Sequence, residues 1–383
     1  MRTLVTVSLG SFALVAGSAT AQTVEFVETF EGSSNVGGWS WGTGNQGFSP
    51  LNGNPGAFLE DLSLVSCCPL LSTAPGGSSS FTGNWILRDV RHVGIDLVTL
   101  DTDFGIGDRP LTVELINDAG TPGNFNDDWG AWLVGEVQVP GPGVPIDGPA
   151  GWTPFSFEVD ARAPSLPLGW TPFGGLGSDP AKTWTALMSD VDRLGYFYGD
   201  PTSIFLVLSW DVGADNARIA VGDCDQNGIA DFQELGPTTD LDSNGVLDAC
   251  EMLSATTTSL SLATGGSASF SLDAGADGAG LLYLILGSLT GTAPAIAVDG
   301  LLVPLAFDGY TQFTLANPNQ TPWSGSLGFL DPTGAATASL ALPAGSPPAL
   351  AGAMLHHAFV TVDLAASGQL DSASNAWSIA LTP

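Results

Sequence analysis

The sequence predicts an all-β chain folded as two sandwich domains with a helix-poor segment between them. Three observations carry this expectation. Fifty glycines and 26 prolines in 383 residues demand many turns between short elements. Stretch after stretch alternates apolar and polar residues with period two, the pattern of a half-buried strand. Hydrophobic residues make up 44% of the chain, enough for real cores and too much for global disorder.

The elements follow in order. Residues 1–21 combine Arg2, an apolar run from Leu4 to Ala16, and the small residues Ala19 and Ala21. That run is too short to span a bilayer and predicts a secretory signal peptide cleaved after Ala21. Residues 22–222 form the first domain. Strand candidates there are TVEFVETF, AFLEDLSLV, NWILRDV, HVGIDLVTLDTDF, LTVELIND, AWLVGEVQV, FSFEVDA, SIFLVLSWDV and ARIAV. One helix interrupts them. Asp179 is placed as N-cap and Pro180 as N1, with Trp184, Leu187, Met188, Val191 and Leu194 at helical spacing. Residues 252–383 form the second domain, with about eight strands at 259–264, 267–275, 281–288, 296–307, 310–317, 336–345, 353–363 and 375–383. LLYLILG is apolar throughout and reads as a buried central strand.

Between the domains, residues 223–251 carry the chemistry most specific to spacing. Asp223, Asp225, Asn227, Gly228, Asp231 and Glu234 occupy positions 1, 3, 5, 6, 9 and 12 of a loop. Asp240, Asp242, Asn244, Gly245, Asp248 and Glu251 repeat the arrangement. This is the calcium-loop pattern, met twice. Ca²⁺ takes six to eight hard oxygens, and alternate positions of a tight turn point inward. Glycine at 6 permits the sharp bend that brings the carbonyls of Ile229 and Val246, at position 7, into the shell. The glutamate at 12 closes it with both oxygens. A merely solvated acidic linker would need neither. Gly236-Pro237 follows loop one almost at once and predicts that no helix leaves it, so these are not sensor-type helix–loop–helix hands. The pair resembles bacterial thrombospondin type 3 repeats. Dockerin calcium loops are a more distant likeness, from which the chain departs by lacking a helix after each loop and by the shorter separation.

Four cysteines in an exported chain are expected to be oxidised. Pairing Cys224 with Cys250, at the two ends of the loop segment, encloses about 27 residues, worth roughly 3–4 kcal/mol on a chain-entropy account. Cys67 and Cys68 are then left as a vicinal disulfide or as thiols.

Thirty-nine acids face eight bases, for a net charge of −31, and no Lys or Arg follows Arg218. This excludes nucleic acid and anionic membrane as partners and suits divalent cations or a salty medium. Nine of the eleven tryptophans precede residue 223. Trp39, Trp41, Trp129, Trp132 and Trp152 fall in or beside loop-like sequence, where exposed rings could stack on sugars; the alternative is that they fill the sandwich core. Asp127 and Asp128, beside Trp129, could receive hydroxyls or form a solvated turn. Gly38-Trp-Ser40-Trp-Gly42 has the letters of a nucleophile elbow, but the following TGNQGFSPLNGNPG cannot be the required helix. His92 reads as structural, and His356 and His357, adjacent on a strand, face opposite sides.

The ends of the first domain, ETFEGSSNVGGWSWG and WDVGADNARIAV, resemble the first and last strands of bacterial galactose-binding-like jelly rolls, a group that includes many carbohydrate-binding modules. The resemblance implies a jelly roll, or a related immunoglobulin-like sandwich, and glycan binding. LSLATGGSASFSLDAG, TLANPNQTPWSGSLGFLDPTGAATASLALPAG and LHHAFVTVD resemble a C-terminal module of bacterial secreted proteins, which implies no activity. The expectation is a secreted or cell-surface calcium-binding protein, non-enzymatic, structural or adhesive, with extracellular polysaccharide as partner. The alternative is a polysaccharide-active enzyme with two carboxylates about 5–10 Å apart in the first domain.

Overall fold

Period-two alternation becomes two pairs of facing sheets. The computed structural model describes residues 22–31, 38–42, 46–62, 69–73, 80–102, 109–139, 151–202, 210–364 and 368–383. The signal-peptide candidate, Cys67, Cys68 and most of SIFLVLSWDV lie outside these residues. The described chain divides into two compact units, 22–232 and 233–383, a boundary that falls within the first acidic loop.

In the first unit the described strands are β1 (Gln22–Glu28), β2 (Trp39–Trp41), β3 (Gln46–Gly53), β4 (Gly56–Asp61), β5 (Leu70–Thr73), β6 (Val90–Thr102), β7 (Arg109–Asn117), β8 (Trp129–Val139), β9 (Thr153–Glu158), β10 (Thr171–Phe173), β11 (Arg193–Tyr198) and β12 (Trp210–Asp223). One sheet runs β3-β4-β12-β6-β9, with β1 also on β12; the other runs β10-β8-β7-β11-β5-β2. All these pairings are antiparallel. Alternate residues of both sheets, among them Leu59, Ile95, Val113, Leu115, Leu194, Tyr196 and Ile219, form one buried cluster. This is a β-sandwich core.

Three readings differ from the sequence expectation: WDV and ARIAV, expected on separate strands, run on as the single strand β12, and two further elements change form. NWILRDV is a set of turns rather than a strand. The Asn84 side chain accepts the Leu87 N–H (2.9 Å), Asp89 sits at φ 48°, and the Trp85 N–H bonds Met188 O (2.8 Å). The helix α1 is shorter than expected, Trp184–Ser189, and its N-cap is Thr183, whose hydroxyl accepts the Ala186 N–H (3.1 Å). Asp179 and Pro180 belong to the preceding turn. Trp184, Leu187 and Met188 are buried, whereas Val191 and Leu194 lead into and lie on β11.

The second unit holds β13 (Leu253–Ala255), β14 (Ser259–Ser261), β15 (Gly266–Asp273), β16 (Leu282–Ser288), β17 (Ile296–Val298), β18 (Leu301–Val303), β19 (Trp323–Ser324), β20 (Leu327–Phe329), β21 (Ala335–Leu342), β22 (Met354–Asp363), β23 (Gln369–Ala373) and β24 (Trp377–Thr382). A sheet β13-β15-β21-β19 faces a sheet β14-β24-β22-β16-β20, with β23 also on β22. Leu253, Phe270, Leu272, Ile285, Phe359 and Ile379 are in the core between them. The all-apolar LLYLILG is explained by cover on both faces. Tyr283 and Ile285 join that core, while Leu284 and Leu286 pack on the other face with Val303 and Leu305. YTQFTLAN, expected as a strand, is instead helix α2, Gly309–Ala316. Asp308 caps it by accepting from Tyr310 N (2.8 Å) and Thr311 N (3.0 Å), while Thr311 Oγ1 accepts from Asp308 N (3.2 Å), a capping box. The cap overrides the β propensity of its threonines and aromatics. Gly287 on β16 makes room for this helix, since a Cβ there would stand 2.3 Å from the Tyr310 ring.

Candidate functional site

Residues 223–251 fold as the spacing predicts, and they do so twice. In loop one the Asn227 N–H reaches Asp223 Oδ1 (3.1 Å) and Asp225 Oδ1 (3.2 Å), and the Gly228 N–H reaches Asp223 Oδ2 (3.0 Å). The Ile229 N–H donates to Asn227 Oδ1 (2.7 Å), and the Cys224 N–H to Asp231 Oδ1 (2.9 Å). In loop two Asn244 N donates to Asp240 (3.0 Å) and Asp242 (3.2 Å), and Gly245 N to Asp240 (3.1 Å). Val246 N donates to Asn244 (2.8 Å) and Leu241 N to Asp248 (3.0 Å). Each of these bonds has its counterpart in the other loop. The backbone agrees: φ is 85° at Gly228 and 84° at Gly245, and 62° at Gln226 and 59° at Ser243. Nothing lies within 4 Å of a Cβ built on Gly228, so position 6 needs glycine for its left-handed backbone and not for space. The left-handed residue at position 4, which is not glycine, was not foreseen.

This folding gathers carboxylates. Oxygens of Asp223, Asp225 and Asp231 lie within 4.8 Å of one another, as do those of Asp240, Asp242 and Asp248. Such crowding without a counter-charge is costly. Burial raises the Asp231 carboxyl above its ordinary range, and the charges of Asp89, Asp223 and Asp225 add to that. Burial likewise raises Asp242 and Asp248, with Asp240 reinforcing both. Glu251 is pushed up to about 8, mainly by burial and then by Asp242, Asp248 and Asp240.

The loop ends differ. One turn of helix, Asp231–Glu234, closes loop one and stops before Gly236-Pro237, so a single turn forms where none was expected. Loop two ends in a 3₁₀ turn, Asp248–Cys250. Glu251 accepts from Asn244 Nδ2 (2.6 Å) and from Asn375 Nδ2 (2.9 Å). Asn375 also brackets Leu253, accepting from its N–H (2.9 Å) and donating to its carbonyl (2.8 Å). Sequence reasoning missed Asn375, which lies 124 positions from Glu251 and carries no local signal. Cys224 and Cys250 are both disulfide-bonded.

The tryptophans require a correction. Trp39, Trp41, Trp129 and Trp152 are core or near-core residues, 2–7% exposed, not loop platforms. Trp39 stacks on Tyr196 (5.8 Å) and Trp152 meets Phe58 edge-on (5.3 Å). Burying these rings removes far more apolar surface from water than loop positions would. Trp132 differs: it is half-buried on β8 and stacks on Phe173 at 5.2 Å with 14° between the rings. Asp127 accepts from Thr121 (2.9 Å) through one oxygen while its other oxygen is buried, and Asp128 is salt-bridged to Arg193. Ser40 sits mid-strand in β2, not at a strand-to-helix turn. His356 bonds Ser378 (2.8 Å), while fully buried His357 faces the opposite side and bonds Tyr310 OH (3.1 Å).

No protein-family model matches this chain, and no curated protein matches it. Among solved structures, it is similar to the conserved carbohydrate esterase vb_24B_21 from Shiga toxin-encoding bacteriophage phi24B, at 15% identity and TM-score 0.26, over 51% of this chain and 100% of that one. It is similar to SGBP-B from a complex xyloglucan utilization locus in Bacteroides uniformis, at 15% identity and TM-score 0.25, over 57% and 62%. It is also similar to the N-terminal CBM22-1-CBM22-2 tandem domain from Paenibacillus barcinonensis Xyn10C, at 9% identity and TM-score 0.29, over 96% and 93%. At these scores the likenesses define no activity.

Proposed function

We propose that this is a secreted, non-enzymatic modular protein whose 223–251 segment binds two calcium ions, in the manner of thrombospondin type 3-like repeats, and whose first unit recognises glycan. The observation that carries the calcium reading is the bond-for-bond identity of the two loops around converging carboxylates. The donor set fits a hard divalent cation: carboxylates, an amide oxygen and a carbonyl, with no nitrogen or sulfur ligand required. Asp223, Asp225, Asn227, Asp231, Glu234 and the Ile229 carbonyl would hold one ion. Asp240, Asp242, Asn244, Asp248, Glu251 and the Val246 carbonyl would hold the other. Bound calcium supplies positive charge to carboxylates that otherwise repel, so its role here is to stabilise the segment.

Calorimetric titration of the full chain with CaCl₂, with thermal unfolding in EDTA beside it, tests this reading. Two binding events and a higher Tm with calcium are expected. Absence of heat and of any Tm shift at about 5 mM calcium, above the weakest extracellular sites, would overturn it.

A further inference from the structure

The two acidic loops differ in the residue that precedes them. Loop two follows Thr239, whose hydroxyl donates to the carbonyls of Glu234 (2.7 Å) and Gly236 (3.3 Å). Loop one follows Gly222, the last residue but one of β12. A Cβ at Gly222 would stand 2.7 Å from Asp89 Oδ2 and 3.0 Å from Asp231 Oδ2. The missing side chain lets carboxylates from two distant parts of the chain meet over one Cα. Asp231 is position 9 of loop one, whereas Asp89 belongs to the sandwich, and its charge acts on Asp231.

Asp89 is fixed there from several sides. It enters β6 with φ 48°, and its carbonyl accepts the Gly222 N–H (3.1 Å). β6 then runs beside β12, with Val90 opposite Val221. The residue is only 5% exposed, and its carboxylate takes two cations: Arg91 Nη2 on Oδ2 (2.7 Å) and Arg162 Nε on Oδ1 (3.4 Å). Arg162 is anchored in turn, its Nε also donating to Ile86 O (3.2 Å). A third cation, Arg88, meets the loop over the Phe232 ring instead (5.2 Å). Two of the eight basic residues of the chain are thus set on one carboxylate, beside a loop that gathers three aspartates.

We propose that Asp89, backed by Arg91 and Arg162, is a positioning residue through which the first sandwich sets the calcium affinity of loop one. It acts through Asp231 and is not itself a ligand. The inference rests on the calcium reading of residues 223–251 and adds a control that reaches one site only. Removing the Asp89 charge withdraws attraction for a divalent cation and leaves both arginines uncompensated, so loop one weakens. Removing the arginine charges does the opposite. One unit charge about 6–8 Å from a divalent ion in a water-like dielectric changes its binding by about three- to tenfold. Asp89→Asn isolates the charge, because asparagine keeps the shape and tolerates the left-handed backbone.

Calorimetric titration of the full chain with CaCl₂ tests this in a background where Asp242→Asn and Asp248→Asn silence loop two. One binding event is expected there. Asp89→Asn should weaken it about three- to tenfold, and Arg91→Gln with Arg162→Gln should strengthen it by about as much. Both shifts should shrink between about 0.1 M and about 1 M KCl. Thermal unfolding in EDTA checks that each variant folds; should Asp89→Asn not fold, the arginine pair and Arg162→Gln alone carry the test. A merely structural role would move both variants in the same direction and resist salt. That outcome, or unchanged affinity in both, overturns the role of Asp89 and leaves calcium binding standing. No heat in this background while the wild type binds calcium overturns loop one as a site and the inference with it. No heat in either protein overturns the calcium reading itself.

Discussion

The two acidic loops fold their first nine positions alike and are fastened to their surroundings by different means. Loop one is held by packing. Ala230 is fully buried, Phe232 lies 6.3 Å from Phe26, and the Arg88 guanidinium sits 5.2 Å over the Phe232 ring. Loop two packs Leu241 on the second core and buries Leu247, and it is also tied by hydrogen bonds, through Glu251 and Asn375 to the backbone of Leu253 at the start of the second sandwich. The arrangement of carboxylates is therefore local and repeated, while the anchoring belongs to each host. A twelve-residue motif specifies its own turn because its bonds span at most seven residues, but a motif has no control over what it rests on.

This contrast can be broken at several points. Chelation should have the largest effect, because it acts on both loops. At calcium about 100-fold above Kd, each site contributes about 2.7 kcal/mol, so EDTA should lower stability by roughly 5 kcal/mol, read as a Tm drop. A single transition unmoved by EDTA would refute it. Next, Asn375→Ala strips Glu251 and both polar groups of Leu253 of a partner, at a cost of about 2 kcal/mol. Calorimetry should then show one calcium site weakened and the other unchanged; equal weakening of both would show the loops to be coupled. Phe232→Ala should do the reverse, loosening loop one by about 1–2 kcal/mol through lost apolar contact while loop two keeps its affinity.

The smallest effect separates the two units by sign. Burial lowers His357 to about 3, so its neutral form is favoured on folding. Its contribution is complete above the unfolded value near 6.5 and is lost as pH falls from there towards 3. In the first unit, burial raises Asp215 to about 7, with Asp96 and Glu31 adding repulsion. That protonated carboxyl stabilises the fold at low pH, and the contribution is lost as pH rises through 7. In saturating calcium, where a bound ion would keep Glu251 ionised, taking the protein from pH 7 to pH 6 should strengthen the first unit and weaken the second, each by about 1 kcal/mol or less. Hydrogen exchange resolved by unit reads this, and shifts of the same sign in both would contradict it.

Much of the fold was legible because period two is a local signal. TVEFVETF, LTVELIND, SASFSLDAG and ATASLALPAG all became strands with alternating or core-facing residues. Errors arose where a side chain competed with propensity. Asn84 turned NWILRDV, Thr183 rather than Asp179 capped α1, and Asp308 made a helix of YTQFTLAN. The aromatic residues were least legible. Tryptophan beside glycine and proline suits a loop platform as well as a core, and only packing separated Trp132 from its four buried counterparts.

The tandem loops, the period-two strands and the charge bias that leaves residues after Arg218 without Lys or Arg could all be read from residue order. Each depends on residue type and on spacings of a dozen positions or fewer. Three features needed the tertiary structure: which tryptophans are buried, the grip of Asn375 on Glu251, and the approach of Asp89 to Asp231. Each joins residues tens to more than a hundred positions apart, brought together by strand register and sheet order, and no local pattern encodes those pairings.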